Sequence, residues 1–257
     1  MIARSSEESR AVPPRPVPGT TLAAIDVEWS KNYRVTNGNI PFCFSVIRVT
    51  VPAGTAPDVA GMSYHYTSAY VETAGETQDL ICAADAEVAR LLDHADLIAG
   101  HQLCSDLATL ARAATVAAPA IAALRAAWHR RRLAQDAHPR VIDTRYDVGH
   151  LLSGTSRRLV DVCAGLRLDV TQPELRGTSM TALHRRWLDT GDTRAREKIT
   201  VLNLRHCLST ALVAMRAAGL GSWTADINVN QMLASHLRDR FAWTADPAFT
   251  ALLDDRR

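Results

Sequence analysis

Apolar positions follow a strand rhythm in the first third of the chain and a mainly helical one after it. The run Thr21-Leu22-Ala23-Ala24-Ile25 leads into Asp26-Val27-Glu28, so residues 21–29 read as a strand. A polar stretch rich in Asn and Gly, residues 30–39, separates it from Phe42-Cys43-Phe44-Ser45-Val46-Ile47-Arg48-Val49-Thr50-Val51. That run is β-branched and aromatic and lies between Pro41 and Pro52, which predicts a second strand. Tyr64-His65-Tyr66 and Ala69-Tyr70-Val71 indicate a third. Residues 83–94 have helical spacing, with Ala86, Val88, Leu91 and Leu92 on one side. A short buried strand, 96–101, leaves through Gly100-His101, and an Ala-rich helix follows from about residue 105. It is interrupted at Pro119 and resumes to the basic run 129–132, ahead of another short strand at 141–144. The remainder is helical in pattern over 157–168, 178–189, 195–217 and 228–240, with Gly219 stopping the third of these.

This order predicts one α/β domain whose sheet is mixed. Residues 1–20, with Pro13, Pro14, Pro16 and Pro18, read as a flexible leader. Residues 21–218 read as the main domain, and 219–257 as a C-terminal helical extension packed on it. No internal repeat is visible.

The composition narrows the class. A hydrophobic content of 47% and a mean hydropathy of -0.07 suit a globular chain with a sizeable core. Apolar stretches break well before the ~18 residues of a membrane span. The first twenty residues lack a signal-peptide core, so a cytoplasmic protein without membrane contact is expected. The net charge of +2 does not by itself announce a nucleic-acid binder. Basic residues are almost all Arg, the only lysines being Lys31 and Lys198, which reads as the coding bias of a GC-rich genome. Cys43, Cys82, Cys104, Cys163 and Cys207 form no C-x-x-C pair and read as reduced, mostly buried thiols.

The candidate chemistry starts at Asp26 and Glu28. Side chains alternate along a strand, so the two carboxylates leave the same face at its end. Held together they repel unless a cation lies between them, and the pair reads as a divalent-metal site. Downstream, Gly100-His101-Gln102-Leu103-Cys104-Ser105-Asp106 places a further carboxylate on a helix that starts directly after a buried strand.

Asp-x-Glu on the first strand, His-x4-Asp after a later one, and Ile142-Asp143-Thr144 on the next follow an order that resembles the DEDD (DnaQ-like) 3′–5′ exonuclease superfamily. The resemblance covers residues 21–218, with Gln102 where Asn is usual and Ser105 where an aromatic is usual. It implies a ribonuclease H-like fold, a mixed β-sheet flanked by α-helices. The third motif departs from the family, whose last helix carries an Asp ligand preceded by a Tyr four residues earlier or a His five residues earlier. Across residues 200–211, the Cys207-Leu208-x-Thr210-Ala211-Leu212 context aligns His206 with the Asp, and Leu202 and Val201 then stand at the base positions. In the other register His206 is the base and Ala211 replaces the Asp. Either way one family residue is absent.

The resemblance implies a metal-dependent 3′–5′ exonuclease that hydrolyses terminal phosphodiesters of DNA or RNA 3′ ends. Its implied catalytic and metal set is Asp26, Glu28, Asp106 and His206. The implied cofactor is Mg²⁺ or Mn²⁺, as a two-metal site in which Asp26 bridges, with Mn²⁺ favoured if His206 is a ligand because imidazole suits it better. The alternative is a catalytically impaired exonuclease-fold protein that binds nucleic acid or a protein partner. Arg130-Arg131-Arg132, Arg157-Arg158 and Arg185-Arg186 read first as solvated faces and second as phosphate contacts. Trp29 and Tyr33 are the aromatics best placed by sequence to meet a terminal nucleotide, whereas Phe42 and Phe44 read as core.

Overall fold

A long hairpin organises the sheet. In the computed structural model, which describes residues 1–6, 19–32, 38–53, 59–133 and 138–253, β2 (Gly19–Asn32) and β3 (Gly38–Pro52) pair antiparallel throughout. Both are rich in β-branched and aromatic residues buried on both faces, which favours a central position in a layered sheet. β4 (His65–Tyr70) adds antiparallel to β3, and β1 (Ile2–Ser5) adds antiparallel to β4. On the other side β5 (Leu97–Gly100) and β6 (Arg140–Asp143) continue the sheet in parallel. The strand order is β1-β4-β3-β2-β5-β6. This six-stranded mixed sheet flanked by helices is the α/β architecture expected from the sequence and is consistent with a ribonuclease H-like fold.

The leader is a correction. Ile2–Ser5 is an edge strand, in register from Ile2 opposite Tyr70 to Ser5 opposite Thr67, and Gly19 and Thr20 already belong to β2. Four residues are too few to show a period, and their pairing partner lies more than sixty positions away, so no local pattern announces them. Residues 7–18, with the four prolines, lie outside the described residues, as does Tyr33.

One face of the sheet carries α1 (Thr77–His94), α2 (Leu103–Ala113) and α3 (Pro119–Arg130), and Ala23, Ile25 and Val27 point into this layer with Leu80, Leu107 and Ile121. Leu22 and Ala24 point the other way, among residues of α4 (Leu159–Gly165) and α6 (Thr193–Ala217). Alternation along β2 therefore sends its even-numbered residues towards α6. Beside α6 lies α5 (Met180–Thr190), which ends at Gly191 with φ +68°, and the Asp192 side chain then caps α6 by accepting from the Ala195 N–H.

Helix α6 is buried on nearly every side over its 25 residues, and the burial takes in polar side chains such as Asn203 and Arg205 as well as its apolar ones. The 157–168 helix is shorter than its pattern, because Leu168 and Asp169 form β7, which pairs in parallel with β8 (Ile227–Asn228). α7 (Val229–Leu237) and α8 (Pro247–Thr250) follow, and Leu233, Phe241, Trp243 and Phe249 are buried in the core shared with α6. Among the described residues no helix is long and apolar enough to cross a membrane.

Candidate metal centre

Asp26 and Glu28 sit on the even face of β2, and a register shift between Glu28 and Trp29 ends the regular ladder just beyond them. Bulges re-aim side chains next to functional sites, and this one follows the acidic pair directly. Both carboxylates meet α6. Nδ1 of His206 lies 3.3 Å from Asp26 Oδ2 and 3.3 Å from Glu28 Oε1. One ligand atom from each of Asp26, Glu28 and His206 falls within 4.8 Å of the others. The three side chains are only 13%, 10% and 19% exposed, so the centre is nearly closed.

Asn203, one turn before His206 on the same helix face, donates its side-chain amide to Asp26 Oδ2 at 2.6 Å. Sequence reasoning passed over it, although an Asn between Leu202 and Leu204, three residues before a His, breaks the apolar pattern visibly. Gln172 is the second missed residue. Its side-chain amide lies 3.0 Å from His206 Nε2, and it sits in an irregular segment with no periodic signal.

Asp106 enters from α2. Strand β5 hands over to this helix through a tight turn in which a Cβ on Gly100 would come within 2.7 Å of Leu103 Cβ, and Gln102 takes φ +65°. Asp143 at the end of β6 holds the turn. Its Oδ1 accepts from the backbone N–H groups of Gln102 and Arg145, and its Oδ2 from Trp128 Nε1 at 2.8 Å. His101 Nδ1 lies 3.0 Å from Thr144 Oγ1, tying the ends of β5 and β6 together. Asp106 is buried, and its Oδ2 has no hydrogen-bond partner among the described residues. It is not one of the three groups within 4.8 Å, but Asp26, Glu28 and Asp143 are near enough for their charges to act on it.

The electrostatics show a centre short of positive charge. Burial, then the charges of Asp26 and Glu28, hold the Asp106 carboxyl well above the usual carboxylate range. Burial likewise raises Glu28. Burial opposes a charge on His206, yet its contacts with the Asp26 and Glu28 carboxylates outweigh that and push it up to about 10. His101 goes the other way, lowered by burial to about 4.

The donor set fits a divalent cation: carboxylates from β2, one imidazole from α6, and the unpartnered Asp106 oxygen beside them. His206 is the residue of α6 that meets Asp26 and Glu28, whereas Leu202, Val201 and Ala211 are fully buried in the core and bring no acid or base to the site.

Other sequence candidates lie elsewhere. Trp29 is half-buried and packs against the α1–α3 layer, and Phe42 and Phe44 are core. Arg131 and Arg132 both bind Asp147, Arg158 pairs with Asp161 and Arg186 with Asp192, so much of the basic clustering is matched locally. A cavity of about 520 Å³ lies along β6 between Arg131, Arg140 and Tyr146, and the acidic centre does not line it. All five cysteines are free, with Cys43, Cys163 and Cys207 buried. Compared with models of known protein families and with curated proteins, the chain matches none.

Proposed function

We propose that the chain is a divalent-metal-dependent 3′–5′ exonuclease of the DEDD type, hydrolysing terminal phosphodiesters of DNA or RNA. The observation that carries this reading is the convergence of Asp26, Glu28 and His206 within 4.8 Å, with the buried Asp106 carboxyl, whose Oδ2 has no hydrogen-bond partner among the described residues, within reach of their charges. Random surface acids do not converge from β2, α2 and α6 in a nearly closed site, because three carboxylates out of water repel one another.

When bound, the ion supplies Lewis-acid polarisation of the phosphate and a water of lowered pKa. The protein does the rest. β2 presents Asp26 and Glu28 on one face, Asn203 fixes the Asp26 carboxylate, and the burial of Asp106 keeps bulk water from competing for its oxygen. His206 replaces a carboxylate with an imidazole, which shifts preference from Mg²⁺ towards Mn²⁺. Neither Leu202 nor Val201 can take a proton, so general-base help from that helix turn is missing.

One observation favours the second reading, a fold relative that binds nucleic acid or a protein partner without turnover. A protonated His206, equidistant from Asp26 and Glu28, offsets one of the pair's two negative charges without a metal. Incubating the protein with a 5′-labelled single strand, DNA or RNA, separates the two. Stepwise shortening with Mn²⁺ that Asp26→Ala abolishes supports the exonuclease. Intact strands across several Mg²⁺ and Mn²⁺ concentrations support the alternative.

A further inference from the structure

We propose that Gln172 is a positioning residue of this centre, accepting the Nε2–H of His206 so that the Nδ1 lone pair faces the cation. The inference rests on the metal-dependent reading above. A neutral imidazole carries one N–H, and a ring that ligates through Nδ1 must carry it on Nε2. Metal-bound histidines almost always donate that second N–H to an oxygen, which fixes ring orientation and raises ligand basicity. His206 has the geometry for this: Nδ1 faces two carboxylates, and the Gln172 amide, placed with its nitrogen nearest, lies 3.0 Å from Nε2. Which amide atom faces the ring is set by a half-turn of the side chain, and a ring N–H selects the oxygen.

The Gln172 backbone is anchored rather than loose. Two residues on, the fully buried Glu174 receives both terminal nitrogens of Arg205, at 2.7 and 2.8 Å. Arg205 is the chain neighbour of His206, so the segment is fastened to α6 beside the ring it would orient. The fastening reaches past residue 218: Trp243 Nε1 donates to Glu174 Oε1 at 2.8 Å, and Arg205 Nε donates to Asn230 Oδ1 at 2.7 Å. The C-terminal residues thereby gain a part in the centre, holding in place the segment that holds His206.

The test is a Mn²⁺ titration of the full chain, followed by the electron paramagnetic resonance signal of free Mn²⁺, for the wild type, Gln172→Leu and Gln172→Glu. Gln172→Leu keeps the shape and removes the acceptor, and should bind Mn²⁺ about 10–100-fold more weakly. Gln172→Glu keeps an acceptor and should bind at least as tightly as the wild type, a rescue that a purely structural role would not give. A loss below tenfold for Gln172→Leu, or an equal loss for Gln172→Glu, overturns the proposal while leaving the metal centre standing. No Mn²⁺ binding by any of the three overturns both.

Discussion

Asn203 and Asp26, 177 positions apart in the chain, meet in a 2.6 Å hydrogen bond from the side-chain amide of α6 to the carboxylate of β2. Asn203 is fully buried, so no water replaces it when it is removed. Asn203→Ala should lower the unfolding free energy by about 1–3 kcal/mol, the usual result of leaving a buried acceptor short of its donor. On the proposed metal-dependent reading, Mn²⁺ affinity should fall about 10–100-fold as the Asp26 carboxylate loses its orientation. Urea unfolding and a Mn²⁺ titration measure the two effects separately.

His206→Asp puts a carboxylate where α6 presents an imidazole to Asp26 and Glu28. Hard-cation sites favour oxygen, so the ratio of Mg²⁺-supported to Mn²⁺-supported strand shortening should rise. An unchanged ratio would show that His206 does not occupy a ligand position.

The buried Arg205–Glu174 pair gives a stability prediction of its own. Arg205→Met strands a buried carboxylate that keeps, among the described residues, only the Trp243 donor, and should destabilise the fold by about 3–5 kcal/mol. The double change with Glu174→Leu removes the uncompensated charge and should recover at least half of that loss. Thermal unfolding of the two variants at one pH decides it.

His184 controls a pH response away from the centre. It is buried, stacked on Phe42 with ring centroids 3.8 Å apart, and its Nδ1 lies 2.9 Å from the Tyr70 hydroxyl. Burial lowers it from 6.5 to about 4. The unfolded chain therefore takes up a proton here that the folded chain refuses. This contribution is fully present above pH 6.5 and is lost as pH falls through the window down to about 4, amounting to at most about 3 kcal/mol. Chemical unfolding at stepped pH should show His184→Phe losing less stability than the wild type across that window. Equal slopes would count against a depressed His184.

Alternation in β2 made the shared face of Asp26 and Glu28 legible from sequence, and the strand–helix–strand order made the mixed sheet legible too. The start of α2 also shows in the chain, since Gly100 and a polar run precede Asp106. The rest depends on contacts that no local pattern encodes. Ile2–Ser5 becomes a strand because β4 offers it an edge. Gln172 reaches His206 because Glu174 is fixed by an arginine from another element. Asn203 was readable in principle, since an amide within the apolar helix, three residues before His206, needs a buried partner, but only the fold reveals that the partner is Asp26.

Manganese soaked into crystals of the protein, located by its anomalous scattering, tests the metal centre most directly. The expected result is a peak within coordination distance of Asp26, Glu28 and His206, with the Asp106 carboxylate turned towards it. Density free of manganese at millimolar concentration, with His206 still bridging Asp26 and Glu28, would contradict it.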